Sequence, residues 1–553
     1  MPVRTDLVIA GGSIVDGTGA PAFEGDVAVR EGRIVAIGPA ASDAVGGAAR
    51  VIDVGGRTVT PGFIDIHTHS DIGVLQDPTA TNAVRQGATT HVTGNCGESP
   101  APIDERTREL AEASWPDYGH PVGYAWTSFA DYLDVVEHTG VGINVAPLVG
   151  HGTVRLAVLC YDQRAPNVGE LAAMRAHVDE AMRAGAFGLS TGLVYPPGCF
   201  GDTDEVVALA EVVAGYGGLY ASHIRGERET VVEAVRECLE IGERAGCRVQ
   251  VSHNAPKWGG SHLLPDVMAL WEAARARGLD VGVDNDAHTD FAWGLRNGLP
   301  QWTHELGPDA LLGLIATKRD ALIDEVVRDT RPAYGPVGLL KHGAWDRIWV
   351  LPGGEAGSLA GRTIASVARE RRVDGWSAYL AVIVETRGAA WGLFDYIEES
   401  VVRAVASHPM VMYCSDGWVL PRGVERGRHP VYMPCSYGEF PGMLERWVVG
   451  TADSPPLVDL ETAIRKMTSM PAARLGLHDR GRIIEGAMAD LVVLDLPNVH
   501  DRATNRFPHD PIDANFPHAS PTGIDWVLVN GVVAVDEGAS TDVLAGRILR
   551  HRR

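Results

Sequence analysis

One arrangement narrows the possible folds of this 553-residue chain more than any other: eight short β-rich runs, each closed by a polar or glycine-rich stop. They are TVTPGFIDIHTH (58–69), ATTHVTGNCG (88–97), VGINVAPLVGHG (141–152), AFGLSTGLVY (186–195), GLYASHIRGE (218–227), RVQVSHNAP (248–256), DVGVDNDAHTD (280–290) and PMVMYCSDG (409–417). Between several of them, segments such as Leu171–Ala184, Glu227–Ala245 and Leu264–Arg277 carry apolar residues at helical spacing. Strands alternating with helices pair in parallel. Eight such units predict an α/β fold of the (β/α)8 barrel type, spanning residues 61–479.

The two ends of the chain read differently. Residues 1–60 and 480–553 hold short alternating segments with Gly turns, among them DLVIAGGSIVDG, GDVAVREGRIVAIG, ADLVVLDL and WVLVNGVVAV. Neither end has enough apolar residues for a core of its own, so the two are expected to combine into one discontinuous β-sandwich. The stretch 290–408 is too long for an ordinary crossover between strands seven and eight. It is expected to form a helical insertion over the barrel mouth.

Reactive residue types collect at one place in this scheme. His67, His69, Cys96, His223, His253 and Asp416 all fall at or just past the C-terminal ends of the proposed strands, the end where barrels of this kind carry their catalytic groups. An isolated His-x-His is a weak signal, since two residues on one strand face are ordinary surface or capping histidines in most chains. Six ligand-type residues at the same end change that reading. His67 and His69 are expected to bind metal.

Charge and cysteine usage bound the rest. Lys plus Arg number 48 against 71 Asp plus Glu, a net −23, which argues against nucleic acid or an anionic membrane as partner. An anionic small substrate is not forbidden, since a local pocket can oppose the global sign. The N-terminal MPVRTDLVIAGGSIVDG has no sustained apolar core of a signal peptide, and no apolar run reaches about 18 residues. Seven scattered cysteines without a CxxC pair fit a reduced, cytoplasmic chain. Oligomeric state has no signature here.

The motifs GFIDIHTHSD, GNCGESPAP (94–102), GAFGLSTGLVYPPG (185–198), ASHIRGE (221–227), VSH (251–253) and CSDG (414–417), with the closing GAMADLVVLD and VNGVVAVDEG, resemble the amidohydrolase superfamily. Within it they are similar to the D-aminoacylase (N-acyl-D-amino-acid deacylase) family. That resemblance implies a zinc-dependent hydrolase of amide C–N bonds. It implies that Cys96, His223 and His253 hold a tight zinc, that His67 and His69 form a second, weaker metal position sharing Cys96, and that Asp416 is the catalytic carboxylate. Three protein ligands leave a fourth position for water, as a catalytic zinc requires. The other six cysteines read as structural.

Supporting roles follow with alternatives attached. Tyr195 is either a substrate-facing tyrosine or ordinary packing. Arg225 and Glu227 either orient His223 and its loops or form a surface ion pair. His151, in the GHG after strand three, faces the right end of the barrel with its role open. A cyclic-amide hydrolase of the hydantoinase or dihydroorotase kind is a competing class, but those relatives use a carboxylated lysine at the end of strand four, where this chain reads STGLVYPPG. A catalytically inactive barrel scaffold is a third; it should have lost ligands, and all six are present.

The departures from the family pattern concern the substrate. The family's SHxK becomes Ser252-His253-Asn254-Ala255-Pro256-Lys257, so Lys257 is either a substitute or a solvated loop charge. Its DxYPY run becomes Asp284-Asn285-Asp286-Ala287-His288, with His288 where tyrosines are expected. Its HPRxYG becomes His429-Pro430-Val431-Tyr432 with an insertion before Tyr437-Gly438, and the arginine expected to pair with the substrate carboxylate is gone. A desolvated carboxylate without partners is costly. An altered carboxylate pocket is therefore expected, with Arg422, Arg426 and Arg428 as candidates for a rebuilt clamp.

Overall fold

The computed structural model describes residues 5–114, 120–303, 306–328, 336–351, 356–422, 434–451, 454–503 and 520–552. Eight parallel strands run Phe63–Asp65, Ala88–Thr93, Asn144–Pro147 with Val149–Gly150, Gly188–Gly192, Leu219–His223, Arg248–Val251, Val281–Asn285 and Val411–Tyr413. Each pairs in parallel with the next. Strand three is broken at Leu148; its first half pairs with strand two and its second with strand four. The ring closes where Thr68 bridges Gly417 in parallel and Asp416 N–H donates to the His67 carbonyl at 3.0 Å.

The strands are buried on both faces, polar residues such as Thr89, Thr90, His91, Ser190 and Thr191 included. Alternation still sorts their side chains. Val411 and Tyr413 face the helix layer, while Met412 and Cys414 join Ile64, Val92, Ala146 and Ala221 inside the barrel. The expected crossover helices form as Val168–Ala184, Val231–Ala245 and Leu264–Ala276. The second starts four residues later than its apolar spacing predicts. Gly226 and Glu227 remain in the loop, and Glu227 is thereby free to face the strand ends.

Both chain ends build one nine-stranded sheet, in the order Ala539–Ser540, Val532–Asp536, Ile524–Val529, Leu491–Leu494, Thr58–Pro61, Leu7–Ile14, Phe23–Arg30, Arg33–Ile37, with Arg50–Asp53 also paired to Leu7–Ile14. The join is the antiparallel pairing of Thr58–Pro61 with Leu491–Leu494. Leu491 and Val493 pack with Leu7, Ile9, Val27 and Val59 in the sheet's own core, while Val492 and Leu494 pack into the barrel's core. The first β-rich run therefore splits. Thr58–Pro61 belongs to the terminal sheet and Phe63–Asp65 to the barrel, with Gly62 between them at a point where a Cβ would stand 2.3 Å from Thr89 Oγ1.

The insertion has a core of its own, including Leu295, Ile315, Ile364, Ile383 and Phe394. It is not purely helical as the sequence suggests. Helices Pro308–Arg328, Pro336–Lys341, Ile364–Arg371 and Gly375–Glu385 surround an antiparallel sheet of Asp290–Gly294, Trp391–Asp395 and Ile348–Val350. Its last predicted part, Glu399–Ser407, sends Val401, Val402 and Val405 into the barrel core and is the crossover helix before strand eight. The exit residue Tyr396 reaches back to the barrel, its carbonyl accepting from Trp258 N–H at 2.6 Å.

Candidate metal centre

The strand ends bring sulfur and imidazole nitrogens together. Cys96 Sγ lies 3.4 Å from His67 Nε2, 3.6 Å from His223 Nδ1 and 3.5 Å from His253 Nε2. Two sets share the thiol: Cys96 with His223 and His253, and Cys96 with His67 and His69, each set's ligand atoms within 4.8 Å of one another. A tetrahedral zinc with ordinary Zn–S and Zn–N bonds separates sulfur from nitrogen by about 3.6 Å. The donor set and its spacing fit that ion.

The electrostatics point the same way. Burial pushes the Cys96 thiol well above its usual range, and the carboxylates of Asp416, Glu98, Asp284 and Glu227 push it further. A buried thiol ringed by negative charge needs a cation to become a ligand.

Three of the four imidazoles have a carboxylate behind them. Asp284 Oδ1 stands 3.2 Å from His67 Nδ1, and Glu227 Oε1 stands 3.6 Å from His223 Nε2 and 4.0 Å from His253 Nδ1. Such partners fix which ring nitrogen faces forward. Asp284 also accepts from His253 N–H at 2.8 Å and from Gln250 Nε2 at 2.6 Å. Its place behind His67 depends on closure of the barrel, which leaves only strand eight between strand seven and strand one.

Asp416 closes the arrangement. Its Oδ1 is 3.5 Å from His67 Nε2 and 3.2 Å from His69 Nε2. Burial opposes ionisation of this carboxyl, but the bond from His69 and the charges of His67 and His253 outweigh it and hold it well below the usual carboxylate range. His69 stacks on Trp418 with ring centroids 5.1 Å apart, a partner that no sequence signal indicated. Cys96, His253 and Asp416 all have positive φ, 52°, 32° and 51°. Non-glycine residues held there are strained, by about 1–3 kcal/mol each.

The remaining candidates divide. Tyr195 reaches the cluster, its hydroxyl 3.3 Å from His223 Nδ1 and its ring edge-on to that imidazole. Lys257 is buried, with Nζ 3.7 Å from Glu227 and 5.1 Å from the Tyr396 ring centroid, so it is no solvated loop charge. Arg225 is paired with Glu237 at 2.9 Å and donates to the carbonyls of Cys199 and Gly201, tying the strand-four loop to strand five.

His151 is fully buried and bonded at 2.7 Å to Glu205, which also holds Arg155. That places it among supports of the Gly198–Gly201 loop. His288 pairs with the buried Glu439; burial lowers its pKa, but Glu439 outweighs burial and raises it to about 9. Arg422 is engaged elsewhere, by Asp542 at 2.9 Å, Thr79 at 3.0 Å and Asp77 at 3.8 Å. The structure thus corrects the expectation that Arg422 clamps a substrate anion. Arg426 and Arg428 lie outside the described residues.

Known proteins resemble this chain over nearly its whole length. The profile of the Amidohydrolase family matches residues 50–310 and 429–535. A D-aminoacylase of Alcaligenes xylosoxydans xylosoxydans is 37% identical over 98% of this chain and 97% of its own length. An N-acyl-D-glutamate deacylase of the same organism is 35% identical over 100% and 97%. The crystal structure of N-acyl-D-glutamate deacylase from Bordetella bronchiseptica, complexed with zinc and a phosphonate inhibitor that mimics the tetrahedral intermediate, superposes with a TM-score of 0.74 at 30% identity, covering 99% of this chain and 100% of that one.

Proposed function

This chain belongs to the amidohydrolase family, and on that premise we propose that it is a zinc-dependent hydrolase of the D-aminoacylase type whose substrate carboxylate pocket is altered. The observation that carries the reading is the Cys96 thiol within 3.4–3.6 Å of three imidazole nitrogens, with the Asp416 carboxylate 3.2–3.5 Å from His69 and His67. Cys96, His223 and His253 would hold the tight zinc; His67 and His69, sharing Cys96, would offer the weaker position. Bound there, zinc supplies an acidified water and polarises the amide carbonyl.

The chain's own groups supply the proton handling. Asp416, facing the same space as the ligand atoms, takes the proton of the attacking water and returns it to the departing nitrogen, a task for one carboxylate that meets both groups. The Tyr195 hydroxyl beside His223 is a donor for the carbonyl oxygen as charge develops on it. Glu227 and Asp284 keep the imidazoles aimed. Replacing Glu227→Gln should weaken zinc affinity about 10–100-fold while leaving the fold intact. Competition with a chelator measures this, and unchanged affinity would show that the histidines are held by other means.

The altered pocket is supported by what surrounds the Asp416 side. Asp286 is raised to about 7, first by burial and then by the neighbouring charges of Glu439 and Asp416. A further anion there would meet more repulsion, and Arg422 is bound to Asp542. Of the candidate cations among the described residues, Lys257 stands near the ligand histidines. N-acetyl-D-methionine should therefore be cleaved more slowly than its amide or methyl ester, by about tenfold or more. Efficient stereospecific cleavage of the free acid, lost on Lys257→Met, would show instead that Lys257 has taken over the carboxylate.

A further inference from the structure

His151 takes no part in the proton handling described above. It opens the helix His151–Leu159 that follows strand three, and its side chain is fully buried. Its Nε2 lies 2.7 Å from Glu205 Oε1, and the other carboxylate oxygen is held by Arg155, which is also fully buried. Burial opposes ionisation of Glu205, but the bonds and charges of His151 and Arg155 outweigh it and hold this carboxyl below its usual range. An ionised carboxylate only accepts, so Nε2 of His151 donates. Desolvation offsets much of the attraction within a buried group of this kind, so net stability is a weak reason for it. What the group does achieve is to fix one imidazole ring in place.

The ring is fixed against the loop that carries Tyr195. A Cβ at Gly201 would lie 3.0 Å from His151 Cε1. One at Gly198 would lie 3.6 Å from His151 Nδ1 and 2.9 Å from the Gly192 carbonyl oxygen, so Gly198 is packed between the ring and the end of strand four. The Cys199 N–H donates to the Tyr195 carbonyl at 2.8 Å, which ties this limb of the loop to Tyr195. Arg225 grips the same limb from strand five, donating to the carbonyls of Cys199 and Gly201 at 3.1 and 2.8 Å.

Resting on the hydrolase reading above, in which the Tyr195 hydroxyl meets the carbonyl oxygen, we infer that His151 is a positioning residue. Its ring sets where the Gly198–Gly201 limb lies, and through that limb it sets the reach of the Tyr195 hydroxyl, 3.3 Å from His223 Nδ1. A reacting group displaced by about 1 Å can lose about a hundredfold in rate, so a residue that only supports the loop still controls turnover.

The test is a double-mutant cycle on the zinc-loaded protein, with N-acetyl-D-methionine amide as substrate and kcat, KM and zinc per chain as readouts. Tyr195→Phe should lower kcat by about a hundredfold, as loss of one oxyanion donor does. His151→Leu should lower kcat by about tenfold or more, with KM and zinc content little changed. In the Tyr195→Phe background the same substitution should cost less than about twofold, because no hydroxyl remains to be misplaced. Gly198→Ala shifts the limb without touching the buried ion pair; it should repeat the pattern and replaces His151→Leu if that variant fails to fold. Equal losses in the two backgrounds would overturn the inference and leave His151 a role in the fold alone. So would full kcat in His151→Leu, unchanged kcat in Tyr195→Phe, or loss of zinc from His151→Leu. A zinc-loaded wild type that cleaves neither this amide nor N-acetyl-D-methionine would overturn the hydrolase reading itself.

Discussion

Replacing Asp416→Asn should lower kcat by about a thousandfold while zinc content per chain stays that of the wild type. General acid–base groups contribute about 10²–10⁴-fold, and here one carboxylate serves both proton transfers. The substitution keeps the shape of the side chain and an oxygen toward His69, so the backbone at this left-handed position has no reason to move. It removes the basicity. The split between the two readouts is what makes the result informative: zinc by metal analysis should be unaffected, KM should change little, and turnover should collapse. A variant with near-normal turnover would remove Asp416 as the base, and one that lost zinc would make it a ligand.

Cys96→Ala should do the opposite, taking zinc and activity away together. Sulfur is the atom common to both candidate metal sets, so its removal leaves each with two imidazoles. It also removes the ligand that balances the charge, because two neutral imidazoles hold zinc far less tightly than a thiolate-containing set. Metal analysis after dialysis should find almost none bound, and added zinc should restore activity by under a hundredth. His223→Ala should lose zinc in the same way, whereas His69→Ala, which belongs only to the second set, should keep one zinc per chain. Retained zinc in Cys96→Ala would move the tight position to the histidines.

How far the sequence carried is clear from individual residues. The eight barrel strands were legible because short β-rich runs closed by polar or glycine-rich stops alternate with segments of helical spacing, and the position of Cys96, His223, His253 and Asp416 at the ends of those runs followed directly. The sheet of the insertion was not, since Ile348–Val350 is only three residues long and its partners are hydrogen-bonded across distant segments.

Carboxylates behind the histidines were half visible. Glu227 lies four residues after His223 and so could be suspected. Asp284 meets His67 only because the barrel closes, and spacing along the chain carries no trace of that. Arg422 shows the converse failure. Its nearness to Asp416 in sequence suggested a clamp, but the chain turns after Gly417 and spends the guanidinium on Asp542 of the terminal sheet.

That sheet has a consequence for how the chain comes into being. The strand Thr58–Pro61 pairs with Leu491–Leu494, more than four hundred residues downstream. At a synthesis rate of roughly 5–20 residues per second, its partner leaves the ribosome about 20–90 seconds later. Throughout that interval the first 60 residues carry the apolar faces of Leu7–Ile14 and Thr58–Pro61 with an unpaired edge, an arrangement that invites association with other nascent chains. The barrel that follows can form meanwhile as a unit from near neighbours in sequence. The N-terminal strands are thus the first part made and the last part finished, and the vulnerable period of this protein is its own translation.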